Sequence, residues 1–375
     1  MQFFIFLKNR FLKIFSLLFN KKVLKGLICF LSIIFLIFAP NFIFNKKKYE
    51  LNLNKYLNLE DKEKIVLNLW HIETFEGGTN SRVKFIEKQA INFNKQNNNC
   101  FISVTKMDEQ QLILNLKQNI LPDMFSFGVG VGYLISGYLT QLENNSNVRT
   151  DLIEYSKINN EVYAYPYILS GYCLISHQNL LPNSKEKFDK TFSCKKINKK
   201  EIKGLSITSS SFINSSEVLL KQGLKDINKS NILESSSTYN AYTNFISKKS
   251  ISLLGTARDV ARCKNRELNG SLSSCNYTFL SGYTDLIQYI GANKNLTKIK
   301  TNYAKSFSKF LTMSFSQNNL ANYGLFSTTN KSIYSNGYMK DFESSLQKQL
   351  SSVNVFSSYQ QIENNNKNSF NSLFI

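Results

Sequence analysis

The chain has 375 residues, 42% of them hydrophobic and 19% charged, which excludes a disordered chain and exceeds what one hydrophobic core usually organises, so two lobes are expected. Its formal charge of +20 comes mostly from lysines dispersed among asparagines, with few arginines and no basic stripe interleaved with stacking aromatics, and this argues against a nucleic-acid partner. Two histidines, and six cysteines without a C-x-x-C pair, leave no usual zinc spacing.

The first 48 residues carry nine Lys or Arg and no acidic residue, so they hold +9 of the +20 and leave +11 for the rest. Residues 1–22 read as a basic segment at the cytoplasmic interface. Residues 23–44 read as a transmembrane signal anchor, because Gly26–Phe44 is uncharged over 19 residues, or about 28 Å of helix. The amino terminus is expected inside and the body outside the membrane. The exit Phe38-Ala39-Pro40-Asn41-Phe42 lacks an A-x-A cleavage pattern, and Leu27-Ile28 ahead of Cys29 is no lipobox, so an uncleaved anchor is expected, with residues 45–61 as a tether.

From residue 62 strand and helix patterns alternate. Ile65–Trp70 predicts a strand, His71–Gly78 a loop, and Asn80 or Ser81 caps an amphipathic helix to Phe93. Phe101–Val104 predicts the next strand, and Asp108 caps a helix that stops at Asn119, a residue tolerant of the left-handed conformation. Pro122 bars a helical restart, and the apolar run Met124–Phe127 opens onto Gly128, Gly130 and Gly132. Three strands joined by two helices predict parallel pairing, which places the ligand edge at residues 71–78, 106–108 and 127–132. Val162–Tyr167 followed by Gly171–Ser176 reads as an extended crossing with a hinge at Pro166 or Gly171.

In the more polar second half, Leu205–Ser216 predicts a strand leading into a helix and Tyr239–Lys248 a helix. Ile251–Asp259 predicts a strand ending in a glycine loop, and Phe279–Asp285 a further edge of that kind. Helices are expected near 302–314, 317–323 and 339–350. Cys263 and Cys275 lie in one polar stretch and can close a short disulfide loop; Cys173 with Cys194 is a second candidate pair, and free thiols are the alternative for both.

No catalytic signature is present: there is no G-x-S-x-G elbow, H-E-x-x-H pair or phosphate-binding G-x-x-x-x-G-K-[ST] loop, and no cofactor is expected. Gly128-Val129-Gly130-Val131-Gly132 nearly matches a dinucleotide fingerprint, but Tyr133 stands where helix packing needs a small residue, and the loop follows the third strand. His177 reads as a surface or hydrogen-bonding residue, while His71 abuts the ligand edge and is either cleft-lining or structural.

The ordered series Leu67-Asn68-Leu69-Trp70, Ala90–Asn94, Leu121-Pro122-Asp123-Met124, Tyr163–Tyr167, Tyr239–Thr256 and Ala304–Leu311 resembles the extracellular solute-binding proteins of bacterial ABC importers, especially their carbohydrate-binding group, over residues 62 to 360. The resemblance implies an α/β, two-lobed periplasmic-binding-protein-like fold of type II with hinge crossings. It divides the body into residues 62–165 with 290–325 as lobe 1, and 166–289 with 326–375 as lobe 2. The chain departs from that family in having Asn119 where glycine is common, in having a single tryptophan, Trp70, to stack on a sugar ring, and in its uncleaved anchor.

The ligand-binding residues expected on this reading are Trp70, Glu73 and Glu76 on the first edge, Phe127 and Gly128 on the third, Tyr165 and Tyr167 at the crossing, and Thr256, Arg258, Tyr283 and Asp285 from lobe 2. Each has a structural alternative: core aromatics for Trp70 and Phe127, a surface pair for Arg258 with Asp259, a helix cap for Tyr283 and Asp285. The expected function is capture of a small solute, a sugar or oligosaccharide, for ABC permease subunits by hinge closure without chemistry. The alternatives are an anchored sensor or scaffold signalling to a partner protein, which a neighbouring histidine-kinase gene in place of permease genes would favour, and a cell-surface hydrolase using carboxylates such as Glu73.

Overall fold

The register of one late strand organises the molecule. In the computed structural model, which describes residues 64–75, 82–183, 185–209 and 213–374, β1 (Ile65–Ile72) pairs in parallel with β2 (Cys100–Met107) and β3 (Met124–Phe127). The connections are α1 (Arg82–Gln96) and α2 (Glu109–Lys117). Asp108 caps α2 through a reciprocal box with Gln111, and Asn119 takes φ 56° just past its end. Strand β13 (Ile287–Ala292) then enters antiparallel between β3 and β6 (Tyr165–Leu169), giving the order β2-β1-β3-β13-β6.

The second sheet has the order β10-β9-β11-β7-β12. It is built from β7 (Tyr172–His177), β9 (Lys200–Thr208), β10 (Ile232–Ser235), β11 (Ser250–Thr256) and β12 (Cys275–Phe279), with β8 (Lys195–Ile197) hairpinned onto β9. A small hairpin, β4 (Lys157–Ile158) with β5 (Glu161–Val162), precedes β6. Helices α3 (Gly132–Ile135), α4 (Ser215–Lys221), α5 (Thr238–Ile246), α6 (Ala257–Leu268), α7 (Lys298–Leu311), α8 (Gly337–Leu346) and α9 (Tyr359–Asn371) follow, together with two single-turn helices at Thr150–Ile153 and Ser314–Asn318. The apolar residues of β1 divide by the two-residue period of a strand. Ile65, Leu67 and Leu69 pack with Phe85, Ile86 and Phe93 of α1 and Phe307 of α7, while Trp70 and Ile72 pack with Met107, Leu112 and Phe125.

Several segments differ from the sequence reading. Tyr165–Leu169 and Ile287–Ala292 both belong to the first sheet, so the chain changes sheet at 170–171 and again at 280–286, whereas the sequence placed the boundaries at 165/166 and 289/290. Gly255 lies inside β11, and α6 starts at once after Thr256, so no glycine loop follows that strand. The polar stretch around Cys263 belongs to this helix; its charged residues other than the buried Asp259 are partly or fully exposed, while Val260 and Cys263 are wholly buried. Cys263 and Cys275 are free, buried thiols, as is Cys173, and Cys194 is also free, so neither candidate disulfide is present. Burial pushes the Cys275 thiol up to about 12 and that of Cys263 further.

Asp123 secures the start of β3. Its carboxylate accepts from the backbone N–H of Asn68 at 2.8 Å and from Lys300 Nζ of α7 at 3.0 Å, and its carbonyl accepts from Asn293 N at 2.9 Å, just after β13. One side chain therefore ties a strand, its neighbour and a covering helix. No helix among the described residues is long and apolar enough to cross a membrane; residues 1–63, with the expected anchor and tether, lie outside the described residues. Asp123→Ala should lower unfolding stability by about 1–3 kcal/mol, because a half-buried N–H and an ammonium lose their acceptor. Urea denaturation followed by circular dichroism checks this, and an unchanged midpoint would refute it.

Candidate functional site

The pairings locate the edge at which the two sheets meet. In the first sheet, Tyr289 of β13 lies opposite Phe127 and Ile287 opposite Leu169. The end of β6 and the start of β13 are therefore at the carboxyl ends of β1, β2 and β3. In the second, Tyr172 lies opposite Thr256 and Phe279 beside Cys173, so β7 begins and β12 ends at the carboxyl ends of β9, β10 and β11. Both crossings thus join carboxyl edge to carboxyl edge, the position where open α/β sheets present ligand-facing loops. The crossings are bonded to one another: Ser170 N donates to Leu286 O at 2.9 Å and Thr284 Oγ1 to Ser170 O at 2.9 Å.

On the first edge a buried polar chain stands behind the loop tips. His71 Nδ1 lies 2.8 Å from Ser126 Oγ, which is 2.7 Å from Tyr167 Oη. Gln288 Nε2 donates to the same hydroxyl at 3.0 Å and to Ile72 O at 2.9 Å, and Arg82 Nη1 donates to Gln288 Oε1 at 3.1 Å. Burial first, then Arg82 and Lys106, holds the His71 imidazole well below its ordinary 6.5. His71 Nε2 and Thr74 Oγ1 are buried with no hydrogen-bond partner among the described residues. Buried polar atoms of this kind are exceptional in folded proteins, and here both sit at the tip of β1.

Phe75, 6% exposed, lies 4.1 Å over the Arg82 guanidinium and packs into an apolar cluster otherwise built from lobe 2 and the crossing, including Tyr172, Tyr283 and Leu286. It is the one residue of the first edge in that cluster among the described residues. Glu73 is partly exposed and paired with Lys106 of the second edge at 2.7 Å. Gly128 is required by close approach, since a Cβ there would lie 2.1 Å from Thr74 Oγ1 and 3.2 Å from Ile287 O. Gly132 is required likewise, with Val355 O 2.2 Å from the same point. These glycines serve backbone packing, in keeping with a loop that is no phosphate cradle.

The residues selected from sequence fall into three groups. Glu73, Gly128, Thr256 and Arg258 lie at the facing edges; Thr256 N donates to Asp259 Oδ2 at 2.9 Å at the start of α6, and Arg258 is half-buried. Trp70, Phe127, Tyr165 and Tyr167 lie inside the core and have no face open to a ligand. Trp70 meets Phe125 edge-on at 6.1 Å, Phe127 stacks on Tyr289 at 6.3 Å, Tyr165 Oη donates to Glu143 O at 2.5 Å, and Tyr167 stacks on Phe85 at 6.3 Å. Tyr283 and Asp285 belong to the crossing. Asp285 accepts from Tyr172 Oη at 2.5 Å and from Asn214 N at 2.6 Å; burial raises its carboxyl above the ordinary 3.8 against these donors. Glu76 lies outside the described residues. His177 is buried, its Nε2 3.0 Å from Phe245 O and its ring stacked on Phe245 at 4.1 Å. Among the described residues no group of His, Cys, Asp and Glu could hold a metal ion.

Sequence reasoning did not single out Thr74, Phe75, Arg82 or Gln288. Phe75 sits between two selected carboxylates and could have been found by asking what an apolar ring does in a polar loop; Gln288 had no signal, because β13 was not predicted.

Solved structures share this architecture. The GacH receptor of Streptomyces glaucescens, solved unliganded and with acarbose, superposes with a TM-score of 0.55 over 84% of this chain and 99% of its own, at 13% identity. Maltodextrin binding protein MalE1 from L. casei gives 0.58 over 84% and 94% at 13% identity, and maltose-bound MalE from Listeria monocytogenes 0.58 over 83% and 92% at 12%. No protein-family model matches the sequence, and no curated protein matches it. The fold is thus shared with these sugar-binding proteins, in agreement with the fold the sequence resemblance implied.

The His71 environment fixes a pH dependence. The native state resists protonation of His71, so on acidification the unfolded chain takes up the proton first: this contribution is constant above pH 6.5 and stability falls as the pH drops below it, at up to about 1.4 kcal/mol per pH unit. His71→Gln, which keeps a hydrogen-bonding group and cannot titrate, should flatten that slope between pH 4.5 and 6.5. Asp285 has the opposite sign but is common to both proteins and cancels in their difference. Parallel urea melts across this range check it; equal slopes would refute it.

Proposed function

We propose that this chain is an extracytoplasmic solute-binding receptor that takes a small solute, a sugar or oligosaccharide, between its two lobes and delivers it to the permease subunits of an ABC importer. The observation that carries this reading is that both sheets turn their carboxyl edges toward shared, mutually bonded crossings. Loops from two lobes then close on one ligand, and only the crossing segments need to change their backbone angles. The sheet order, with the late strand β13 beside β3, agrees with a type II arrangement. Glu73 and Lys106 supply polar groups on lobe 1 suited to hydroxyls, with the buried Thr74 hydroxyl and Arg82–Gln288 pair behind them. No bond is made or broken in this function; the ligand shifts an open and closed equilibrium, and the closed form offers a composite surface to the permease.

Membrane attachment belongs to the same proposal. The uncharged run Gly26–Phe44 with its lysine flanks supports an uncleaved, single-pass anchor with the amino terminus inside, which would keep the receptor beside its permease and serve the purpose a lipid otherwise serves. Phe75 holds the ligand-free form together in this scheme: its ring must leave the lobe 2 cluster for the lobes to part.

Two measurements follow. The full chain, purified in a detergent without a sugar headgroup, should be stabilised by at least one saccharide in a thermal-shift and calorimetric panel; no response to sugars, peptides, polyamines or metals would sink the receptor reading. Phe75→Ala removes a buried aromatic contact between lobes worth about 2–3 kcal/mol, so small-angle scattering of the ligand-free protein should show a larger radius of gyration, and an unchanged one would show that Phe75 is no interlobe latch.

A further inference from the structure

A second cavity, of about 190 Å³, opens on lobe 2 where α9 crosses the carboxyl ends of β9 and β10. It is smaller than the ~300–1,000 Å³ of sites for drug-sized ligands, which limits it to one ring. Its lining includes Thr208 at the end of β9, Glu234 on β10, Asn214, and Glu363, Lys367 and Phe370 on α9. Phe370 is half-buried, with its ring packed against the lobe 2 cluster, and gives the cavity one apolar wall.

The charges select among ligands. Glu363 and Lys367 neutralise each other one helical turn apart, at 2.9 Å. Glu234 is exposed and has no ion pair or side-chain hydrogen bond among the described residues, so the lining itself carries one net negative charge, with the Lys229 ammonium outside it, 5.9 Å from the Phe370 ring centroid. Asn214 and Thr208 are buried and held by bonds to the fold: Asn214 Nδ2 donates to Ser369 Oγ at 3.1 Å and Thr208 Oγ1 to Ser235 O at 3.4 Å. The polar atoms of the floor are therefore already engaged by the fold, and Glu234 remains to pair with an incoming group. An aromatic wall, fixed polar atoms and one carboxylate suit a hydroxylated ring whose apolar face stacks on Phe370 while a cationic substituent meets Glu234.

We propose that this cavity is a saccharide subsite for a single amine-bearing sugar ring, lying at the outer flank of the carboxyl edge of lobe 2 and extending the interlobe site. The proposal rests on the receptor reading above and names its substrate class. Glucosamine carries both the apolar ring face and the ammonium group; glucose lacks the charge, and glucuronate reverses it. The ends of β9 and β10, which bear Thr208 and Glu234, lie on the same edge of the sheet as the end of β11, which bears Thr256.

Isothermal titration of the full chain with glucosamine, a short oligomer of it, glucose and glucuronate tests this. The expected order is glucosamine and its oligomer tightest, glucose weaker and glucuronate weakest. Glu234→Gln should reduce glucosamine affinity about tenfold or more and leave glucose affinity nearly unchanged. Phe370→Ala should weaken every sugar, with Phe370→Tyr restoring binding if the ring acts as a stacking platform. Glu234 is exposed, so its variant keeps the fold; superimposable melting curves establish that. If sugars bind the wild type and both variants equally, or glucuronate binds as well as glucosamine, the subsite is refuted while the receptor reading stands. If no saccharide binds the wild type, both fall.

Discussion

The insertion of β13 between β3 and β6 is the constraint on which the rest depends. Two strands that end at the same edge leave a chain there, and the antiparallel entrance of Ile287–Ala292 forces the return crossing to begin at that edge as well. With β7 and β12 leaving the second sheet at its own carboxyl ends, the two lobes meet through loops, which can carry polar groups toward a ligand without breaking sheet hydrogen bonds. Had β13 entered in parallel, the crossing would have emerged at the far side and no cleft would exist. A ladder of backbone bonds therefore decides where recognition can occur before any side chain contributes.

Packing then decides which side chains remain available. Large aromatics at the end of β3 and within β6, Phe127, Tyr165 and Tyr167, satisfy the core and are lost to the surface. Smaller and more polar groups one or two residues further along, Glu73 and Thr74, inherit the facing position. The loop tip and the third strand approach so closely that only glycine fits at 128, so the first edge and the third behave as one wall.

Much of this was legible in the sequence, for reasons that can be named. β1 to β3 and their helices were read correctly because their periodicity, the Asp108 cap and the left-handed Asn119 are local signals that agree with the tertiary structure. Asp123 was legible as a strand start, while its bond to Lys300 was not, because nothing local connects residues so far apart. β13 was missed because Ile-Gln-Tyr-Ile-Gly-Ala is short and shows no clean alternation, as befits a strand buried on both faces. The polar helix α6 was read as a loop because its apolar residues form a narrow stripe. The site residues suffered most: an aromatic at a strand end looks the same in sequence whether it faces a ligand or a core, and burial on two faces settles it here.

The route of the chain after α8 straps the two lobes together. Arg149, 5% exposed, gives its guanidinium to the carbonyls of Leu346 and Lys348 at 2.5 and 2.8 Å, and Asp151 accepts from the backbone N–H of Leu350 at 2.9 Å. Val355 N then donates to Tyr155 O at 2.8 Å before α9 returns to lobe 2, where its Ser369 Oγ accepts from Asn214. The clamp joins residues 197 apart in sequence, so closing it carries a large loop-closure entropy, comparable to that of the Gln288–Ile72 bond at the first sheet, 216 apart. Without the strap the Arg149 guanidinium would keep Asp151 but lose its carbonyl acceptors. The strap therefore contributes a registration between the lobes that neither sheet supplies by itself.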